Sequence, residues 1–345
     1  MNFWQDLRRF LGTCCCLRSN QIDHQKFNDP SAYYIHLAID VFTVRQSKHW
    51  IIADFGSSYG QHSIEMMKTI LQCLRQRHQL HQTPLIIHLD LPTNNWTAFF
   101  QKLAADRSYH SLAMGRSFYE QCLPTNSLSI GFSQASLHYL SKKPCNILHH
   151  CYVHFAQAHE REQFRQQSKV DFETFVEHRA RELRSGGMLI LSIPSINEKN
   201  EMGFNQYFHL IYQCAQVFLA EEHLEEFTLP FYLRSLSECV DLNLFKRCSL
   251  KLIRVQLVRV KPLIFYQYEQ QQITREQLIK SLIVLMHSSI DMTLKETLES
   301  HQQRSPEDMQ RIFTEIWSLF EEKLRLEISH DHVHIYTTYL ILKKK

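Results

Sequence analysis

Two acidic residues in the first third of the chain stand where they could bind a nucleotide-like ligand. Asp54 follows the apolar run Ile51–Ala53 and precedes a loop that contains Gly56 and Gly60, and Asp90 ends the next apolar run. A carboxylate at the end of a parallel strand is suited to binding the two hydroxyl groups of a ribose. The glycine spacing is not GxGxxG and the segment lacks a P-loop pattern, which disfavours nicotinamide, flavin and phosphate-cradling sites. Taken alone, these residues fit a simple turn equally well.

The elements around these residues are predicted to be strands that alternate with helices. Ile51–Ala53 has the pattern of a buried strand, and apolar residues then recur at helical spacing, at Ile64, Met67, Ile70, Leu71 and Leu74. Further apolar runs predict strands in TPLIIHLDLP, SLSIGFS, MLILSIP, SLKLIRVQLVRVKPL and HVHIYTTYLILKKK. Helices are expected over about 171–184, broken at the glycine pair 186–187, and within about 197–240 and 274–326.

This alternation predicts an α/β fold of the doubly wound, Rossmann-like type. We expect about seven strands in a mostly parallel sheet, an antiparallel last strand, and a helical cap over the sheet. The expected organisation is an N-terminal extension at 1–26, a ligand-binding core at 27–196, and a cap interleaved with the remaining strands at 197–345. The core and the cap are expected to form one integrated unit.

The composition is that of a folded protein with a small-molecule partner. Of 345 residues, 44% are hydrophobic, and 38 Lys and Arg stand against 35 Asp and Glu for a net charge of +3. These values argue against general disorder and give no electrostatic reason to expect a nucleic-acid partner. The 10 cysteines include no CxxC pair, so we expect a reducing, cytoplasmic compartment and no zinc site.

The N-terminal segment offers an alternative location for the protein. It carries neither a spanning helix nor a secretory signal with a cleavage site. The run Cys14, Cys15 and Cys16 stands next to arginines and follows an amphipathic stretch, so acylation there would tether the chain to a membrane. A poorly ordered extension without a tether is the expected case.

Three histidines near the C-terminus form a cluster of side chains that could in principle hold a metal. His330, His332 and His334 alternate along a predicted strand, which puts them on one face. Because no carboxylate or cysteine stands at a compatible spacing, no metal site is expected.

Several segments, taken in order, resemble one enzyme family. IADFGSSYGQHS is similar to the pattern IADxGSSxGxNS, and LDLPTNNWTAFFQKL is similar to NDLPxNDFxxLFxxL. Further on, SLHYLSKKP is similar to SLHWLS followed by a proline, and FETFVEHRARELRSGGMLIL to a helix, a double glycine and a strand. Over about 27–194 the chain therefore resembles the salicylic acid, benzoic acid and theobromine methyltransferases, the SABATH family, which use S-adenosylmethionine.

The resemblance implies four contacts to the methionine end of that cofactor. Asp54 and the Gly56 loop would contact the methionine moiety, and Ser31 would help to hold its carboxylate. His62 stands where the family has an asparagine near the cofactor.

The resemblance implies four further contacts to the adenosine end. Asp90 would bind the ribose hydroxyls, and Leu91 would lie against the adenine. Ser117 would hydrogen-bond near the adenine amino group, and Phe118 would close over the ring. Without the resemblance, Leu91 and Phe118 would be interpreted as core packing.

The resemblance also implies an acceptor site. His138 and Tyr139 occupy the pair that the family uses to hydrogen-bond the acceptor carboxylate, and Tyr34 stands where a glutamine usually helps. The family commonly has Trp where Tyr139 stands, so the cofactor site carries over better than the acceptor site. No catalytic acid or base is expected, because an oxygen that is already anionic attacks the sulfonium methyl group in a dry pocket that aligns the reacting atoms.

The expected function is methylation of the carboxylate of a small-molecule acid, which gives a methyl ester. Two alternatives remain open: N-methylation of a heterocycle, which the same family contains, and an inactive cofactor-binding or interaction protein on the same fold. The residues at Tyr34, His62 and Tyr139 keep the second alternative open. A homodimer is expected from the resemblance and because the long apolar final strand HVHIYTTYLIL needs protection.

Overall fold

The computed structural model describes residues 30–42, 50–77, 80, 82–104, 106–300, 304–327 and 333–345. The expected extension at 1–26, with its cysteine run, lies outside the described residues, as do His330 and His332. His334 is described, and its Nδ1 lies 3.0 Å from Nη2 of Arg259. No helix within the described ranges is long and apolar enough to cross a membrane.

The first half of the described chain alternates helices and strands. They are α1 (Pro30–Asp40), β1 (Ile51–Phe55), α2 (Gln61–Gln76), β2 (Leu85–Asp90), α3 (Trp96–Leu103), β3 (His110–Gly115) and β4 (Leu128–Gln134). Most residues of β1 and β2 are buried, because a central parallel strand has helices on both of its faces. This arrangement leaves the loops at the carboxyl ends of these strands as the natural place for a ligand.

The second half adds three strands, two helices that pack on the sheet and the helices of a cap. They are α4 (Ala158–Glu182), β5 (Leu183–Ser195), α5 (Asn205–Phe218), α6 (Glu221–Glu226), α7 (Leu242–Arg247), β6 (Leu250–Val260), α8 (Leu263–Glu269), α9 (Arg275–Glu299), α10 (Pro306–Glu327) and β7 (Ile335–Lys344). Single turns of 3₁₀ helix at Val153–Phe155 and Ser237–Cys239 complete the order.

The seven strands form one sheet in the order β3-β2-β1-β4-β5-β7-β6. The pairs among β1 to β5 are parallel, and β7 runs antiparallel to both of its neighbours. The predicted fold, a mostly parallel sheet of about seven strands with an antiparallel last strand and a helical cap, is confirmed.

Three local predictions differ from the structure. The edge strand β3 was not predicted, because its sequence HSLAMG is short and partly exposed and lacks a continuous apolar run. The helix expected over about 171–184 begins earlier, at Ala158. Its first half was missed because that part is polar and mostly exposed, so it has no clear apolar periodicity. Gly186 and Gly187 lie within β5, next to an irregular register with β4, rather than between the helix and the strand.

The final strand is not an exposed edge. Residues of β7 pair with β5 on one side and with β6 on the other. The backbone of β7 is therefore satisfied within one chain. The physical reason offered above for a homodimer does not hold, and the dimer rests on the resemblance alone.

Three apolar clusters surround the sheet. One face of the sheet packs under α1, α2 and α3, through residues such as Ile52, Ile86 and Ile341. The opposite face packs against α4 and α7, through residues such as Ala53 and Leu340. A third cluster joins α5, α6, α9 and α10 into the cap and also includes the segment 140–164, which precedes the expected boundary at 196. The division at 196 stays a prediction.

Candidate active site

The loop after β1 is pinned to the end of β2 by backbone hydrogen bonds. The N–H groups of Gly56 and Ser57 both donate to the carbonyl oxygen of Leu89 at 2.9 Å. Gly56 has a φ of +98°, and a Cβ atom added there would lie 2.0 Å from Oγ of Ser136. Gly60 has a φ of +89°, and its added Cβ would lie 2.7 Å from the ring of Phe99. Both positions therefore require glycine for backbone conformation and for space.

Asp54 is a buried carboxylate at the end of β1. Its side chain is only 2% exposed, and Oδ2 accepts a hydrogen bond from Oγ of Ser63 in the first turn of α2. Burial raises the pKa of Asp54 to about 6, while the Ser63 hydrogen bond and the nearby His62 oppose the rise. A cationic group of a ligand would favour the charged form of Asp54 and be bound by it.

Asp90 caps the loop from the neighbouring strand. Its Oδ2 accepts from the N–H of Ser58 at 2.6 Å, and its Oδ1 accepts from the N–H of Leu91 at 2.8 Å. Burial raises the pKa of Asp90, and these two hydrogen bonds oppose the rise. Each carboxylate oxygen can accept a second hydrogen bond, so the group suits a ligand that presents hydroxyl donors. Leu91, 39% exposed, lies next to it as an apolar surface.

A buried ion pair holds the Ser117–Phe118 loop against α4. Arg179 and Glu182 are fully buried and form two hydrogen bonds of 2.7 Å to each other. Arg179 also donates to the carbonyl oxygen of Phe118 at 2.6 Å, and Glu182 accepts from the N–H of Cys122 at 2.6 Å. The loop that carries two predicted ligand contacts is therefore fixed at both ends.

Ser136 connects the glycine loop after β1 to the end of β4. Its Oγ donates to the carbonyl oxygens of Gly56, at 3.2 Å, or Gln134, at 3.0 Å. A Cβ on Gly56 would also lie 3.7 Å from the ring of Phe118, so Gly56, Phe118 and Ser136 meet at one point. The predicted residues Asp54, Gly56 and Phe118 are thus brought together at the carboxyl edge of the sheet.

His138 and Tyr139 form an aromatic pair under the cap. Their ring centres are 4.4 Å apart, and the ring of Phe231 packs against both. Burial, together with the positive charge of Arg234, lowers the pKa of His138 to about 3. Burial raises the pKa of Tyr139 to about 12. Both side chains are therefore neutral near pH 7, and Nδ1 of His138 is buried without a hydrogen-bond partner among the described residues.

The segment that carries this pair is anchored by a second buried arginine. Arg234 is 1% exposed, and one of its Nη atoms donates to the carbonyl oxygen of Leu137 while the other donates to that of Ser168 at 2.7 Å. Its guanidinium group lies 5.3 Å from the ring centre of Phe172. Arg234 thus joins the acceptor segment to α4.

The structure gives Tyr34 different surroundings from those of the His138–Tyr139 pair. Tyr34 is a fully buried residue of α1, and its ring stacks on that of Tyr339 in β7 at 4.0 Å. Its hydroxyl group has no partner among the described residues. Ser31 lies nearby, with Oγ 3.5 Å from the hydroxyl of Tyr339. No contact within the described chain joins Tyr34 to the pair, so its role at the acceptor stays a prediction, as do those of Ser31 and His62.

Sequence reasoning missed four polar residues that shape the site. They are Ser63, His88, Ser136 and Arg179. One signal was available for His88, because a histidine interrupts the otherwise apolar run LIIHLD of a strand predicted to be buried. Ser63 ends the motif segment IADFGSSYGQHS that also contains Asp54, so a second signal was available there. The partners of Ser136 and Arg179 lie far away in sequence and become visible only in the fold.

The chain is similar to known proteins along most of its length. Residues 27–345 match the family described as SAM dependent carboxyl methyltransferase. A probable S-adenosylmethionine-dependent methyltransferase of Arabidopsis thaliana is 30% identical over 214 residues, which cover 54% of this chain and 59% of that protein. Loganic acid O-methyltransferase of Catharanthus roseus is 27% identical over 207 residues, which cover 54% of this chain and 56% of that protein. The matched region is thus less than two thirds of the length of these curated relatives.

A solved structure has the same overall fold. The structure of loganic acid methyltransferase with SAH superposes with a TM-score of 0.76 and covers 92% of this chain and 93% of that one. The two sequences are 18% identical, so this likeness supports the fold alone.

Proposed function

The chain belongs to the SAM-dependent carboxyl methyltransferases, and on that premise we propose that it transfers a methyl group to the carboxylate of a small-molecule acid and releases a methyl ester. The observation that carries the proposal is the placement of Asp54 and Asp90 at the adjoining carboxyl ends of β1 and β2, joined by the glycine loop. One carboxylate suits a cationic group and the other suits hydroxyl donors. These are the acceptors that S-adenosylmethionine needs for its ammonium group and its ribose hydroxyl groups.

S-adenosylmethionine would supply an electrophilic methyl group when bound. Asp54 would hold its ammonium group, Asp90 its ribose hydroxyls, and Phe118 with Leu91 would enclose the adenine. The loop bonds to Leu89 and the Arg179–Glu182 pair keep these side chains in place before a ligand arrives. Such preorganisation lowers the entropy that must be lost on binding.

The acceptor end needs orientation rather than proton transfer. An acid is already ionised at neutral pH, so the chain has no proton to remove before methyl transfer. Neutral His138 and Tyr139 would donate hydrogen bonds to one carboxylate oxygen and leave the other aligned for attack. Because both side chains are neutral, they orient the anion without the strong charge pairing that would make it a poorer nucleophile. The apolar cap would exclude water from the pocket.

A methyl-transfer screen tests this function. Purified protein is incubated with radiolabelled S-adenosylmethionine and a panel of aromatic, terpenoid and fatty acids, each with its amide and alcohol, and with heterocycles. We expect transfer to an acid and little transfer to its amide or alcohol, because unpaired buried donors cost about 1–3 kcal/mol each. Transfer only to a ring nitrogen would make the protein an N-methyltransferase. Cofactor binding without any transfer would make it an inactive binding protein.

Variants of the acceptor pair refine the test. His138→Ala should lower the rate with the best acid by more than it lowers affinity for S-adenosylhomocysteine, and Tyr139→Phe should isolate the contribution of the hydroxyl group. Tyr266→Phe, an exposed tyrosine on α8, is the matched control. Unchanged methylation in His138→Ala would remove the proposed role of this pair.

We also propose a homodimer, which the family resemblance supports, and a cytoplasmic location. Seven cysteines of the described chain are free thiols, in keeping with a reducing compartment. Light scattering at micromolar concentration tests the dimer, and a monomer would refute it. Cell fractionation tests the location, and recovery in the membrane fraction would revive tethering through Cys14, Cys15 and Cys16.

A further inference from the structure

A chain of polar side chains runs through the core beneath Asp54. His88 lies within β2 and is fully buried. Its Nδ1 is 2.8 Å from Oγ of Ser63, and its Nε2 is 3.3 Å from the hydroxyl of Tyr109. Ser63 in turn contacts Oδ2 of Asp54. Four residues, three of them from β1, α2 and β2 and the fourth just before β3, are thus linked inside an otherwise apolar layer.

The chemistry of these groups gives the chain one direction. An ionised Asp54 can only accept, so the Ser63 hydroxyl must donate to it. Ser63 Oγ then accepts from His88, which requires the neutral tautomer with its proton on Nδ1. The remaining Nε2 is an acceptor, and the Tyr109 hydroxyl donates a hydrogen bond to it. Burial lowers the pKa of His88 to about 4, which agrees with a neutral ring.

We propose that His88 is a positioning residue which, by donating to Ser63, directs the Ser63 proton onto Asp54 and so favours the anionic form of Asp54 that binds the cofactor cation. The Asp54–cofactor contact is part of the proposed function, and this inference rests on it. Without His88, the Ser63 hydroxyl loses the donor that determines its orientation. Asp54 would then be protonated at a higher pH.

Other groups face this chain and define what the test must separate. His62 and Asp90 act electrostatically on Asp54, and Ser57 also approaches it. His88 has the ring of Phe99 at 5.0 Å on its α3 side.

Tyr109, at the end of this series of hydrogen bonds, lies near a separate ion pair. Asp106 acts on Tyr109, and Asp106 itself pairs with Lys68 at 2.7 Å. Variants at His88 leave all of these charges in place, so a change in Asp54 reports on the hydrogen-bonded chain.

The first measurement is the titration of Asp54 in unliganded protein, followed by NMR of carboxyl-labelled aspartate and assigned with Asp54→Asn. His88→Leu removes the donor at similar size, whereas His88→Asn keeps an N–H group near the position of Nδ1. We expect the Asp54 midpoint to rise by about half to one pH unit in His88→Leu and to stay near the wild-type value in His88→Asn. Ser63→Ala should raise it at least as much, and adding His88→Leu to Ser63→Ala should change it no further.

The second measurement is the affinity for S-adenosylhomocysteine between pH 5 and 8. His88→Leu should weaken binding at pH 6 by about twofold to fivefold and nearly match wild type at pH 8, since Asp54 is then largely ionised. A purely structural role would weaken binding equally at every pH. The inference is overturned if the Asp54 midpoint in His88→Leu equals that of wild type, or if His88→Asn shifts it as much as His88→Leu.

The two measurements separate this inference from the proposed function. Wild type that fails to bind S-adenosylhomocysteine at any pH refutes the cofactor site, and with it the binding role assigned to His88. Wild type that binds, with an unshifted Asp54 midpoint in His88→Leu, refutes the inference alone. Urea unfolding of each variant identifies any that fail to fold. If His88→Leu fails, His88→Gln takes its place, because glutamine keeps a polar group near the position of Nε2 but has no N–H near that of Nδ1.

Discussion

Replacing Gly56 by alanine should damage the site through one identifiable contact. The residue has a φ of +98°, and the added Cβ would lie 2.0 Å from Oγ and 2.4 Å from Cβ of Ser136. Ser136 is 7% exposed and cannot simply rotate into solvent. Because Ser136 follows β4 and precedes the acceptor pair, its displacement should disturb both halves of the proposed site.

The expected cost has two separable parts. A left-handed backbone costs an L-residue about 1–2 kcal/mol. Forcing a methyl group into a packed contact costs about another 1–3 kcal/mol. Gly56→Ala should therefore lower the free energy of unfolding by about 2–5 kcal/mol. At S-adenosylhomocysteine concentrations near the wild-type dissociation constant, the variant should show no measurable binding.

A second substitution isolates the contact. Ser136→Gly removes both atoms that the new Cβ would meet, at the cost of the serine hydrogen bond, about 1 kcal/mol. Urea unfolding of wild type, both single variants and the double variant gives the coupling free energy, provided that the denaturant slopes agree. We expect the double variant to be more stable than the sum of the single effects by about 1–3 kcal/mol. Additivity within about 0.5 kcal/mol would refute the steric explanation.

Three further predictions follow from the same geometry. If Asp54 binds the cofactor cation, affinity for S-adenosylhomocysteine should be full above the free-protein pKa of about 6. Below that pH it should fall about tenfold per pH unit, because protonation removes the charge of Asp54. Calorimetry of Asp54→Asn should show an affinity that does not change with pH over this range. Arg179→Met should lower the free energy of unfolding by about 3–5 kcal/mol, since Glu182 would remain as an unpaired buried charge. Adding Glu182→Gln should recover part of this stability, whereas Arg247→Met at an exposed ion pair should have a much smaller effect. Deleting residues 1–19 should leave affinity for S-adenosylhomocysteine within about twofold, because the family match begins at residue 27; loss of binding would show that this segment takes part in the site.

Much of the fold follows from local patterns. The alternation of apolar strands with amphipathic helices is enough to predict a doubly wound sheet, since the spacing of apolar residues in each element indicates which face is buried. The strand ends at Asp54 and Asp90 were located in the same way, because the apolar run stops there. β3 escaped prediction, since an edge strand that is partly exposed needs no continuous apolar sequence.

In the site, too, some residues could be located from local sequence and others depend on tertiary packing. The motif residues Asp54, Gly56 and Phe118 lie together as expected, because each is attached to a strand end whose position the sheet determines. The acceptor role of Tyr34 stays a prediction. Its position in the sequence matched a glutamine, but the packing of α1 stacks its ring on Tyr339, and that contact spans most of the chain.

By itself the sequence determined the order of strands and helices, the glycine loop and the acidic strand ends, because these depend on residues close together along the chain. Only the tertiary structure decided which distant side chains complete the site. Ser136 meets Gly56, Arg179 holds the Phe118 loop, and His88 reaches Asp54 through Ser63. These contacts are set by the register of neighbouring strands and by the depth at which helices pack on the sheet, and neither is encoded in the spacing of residues along one segment.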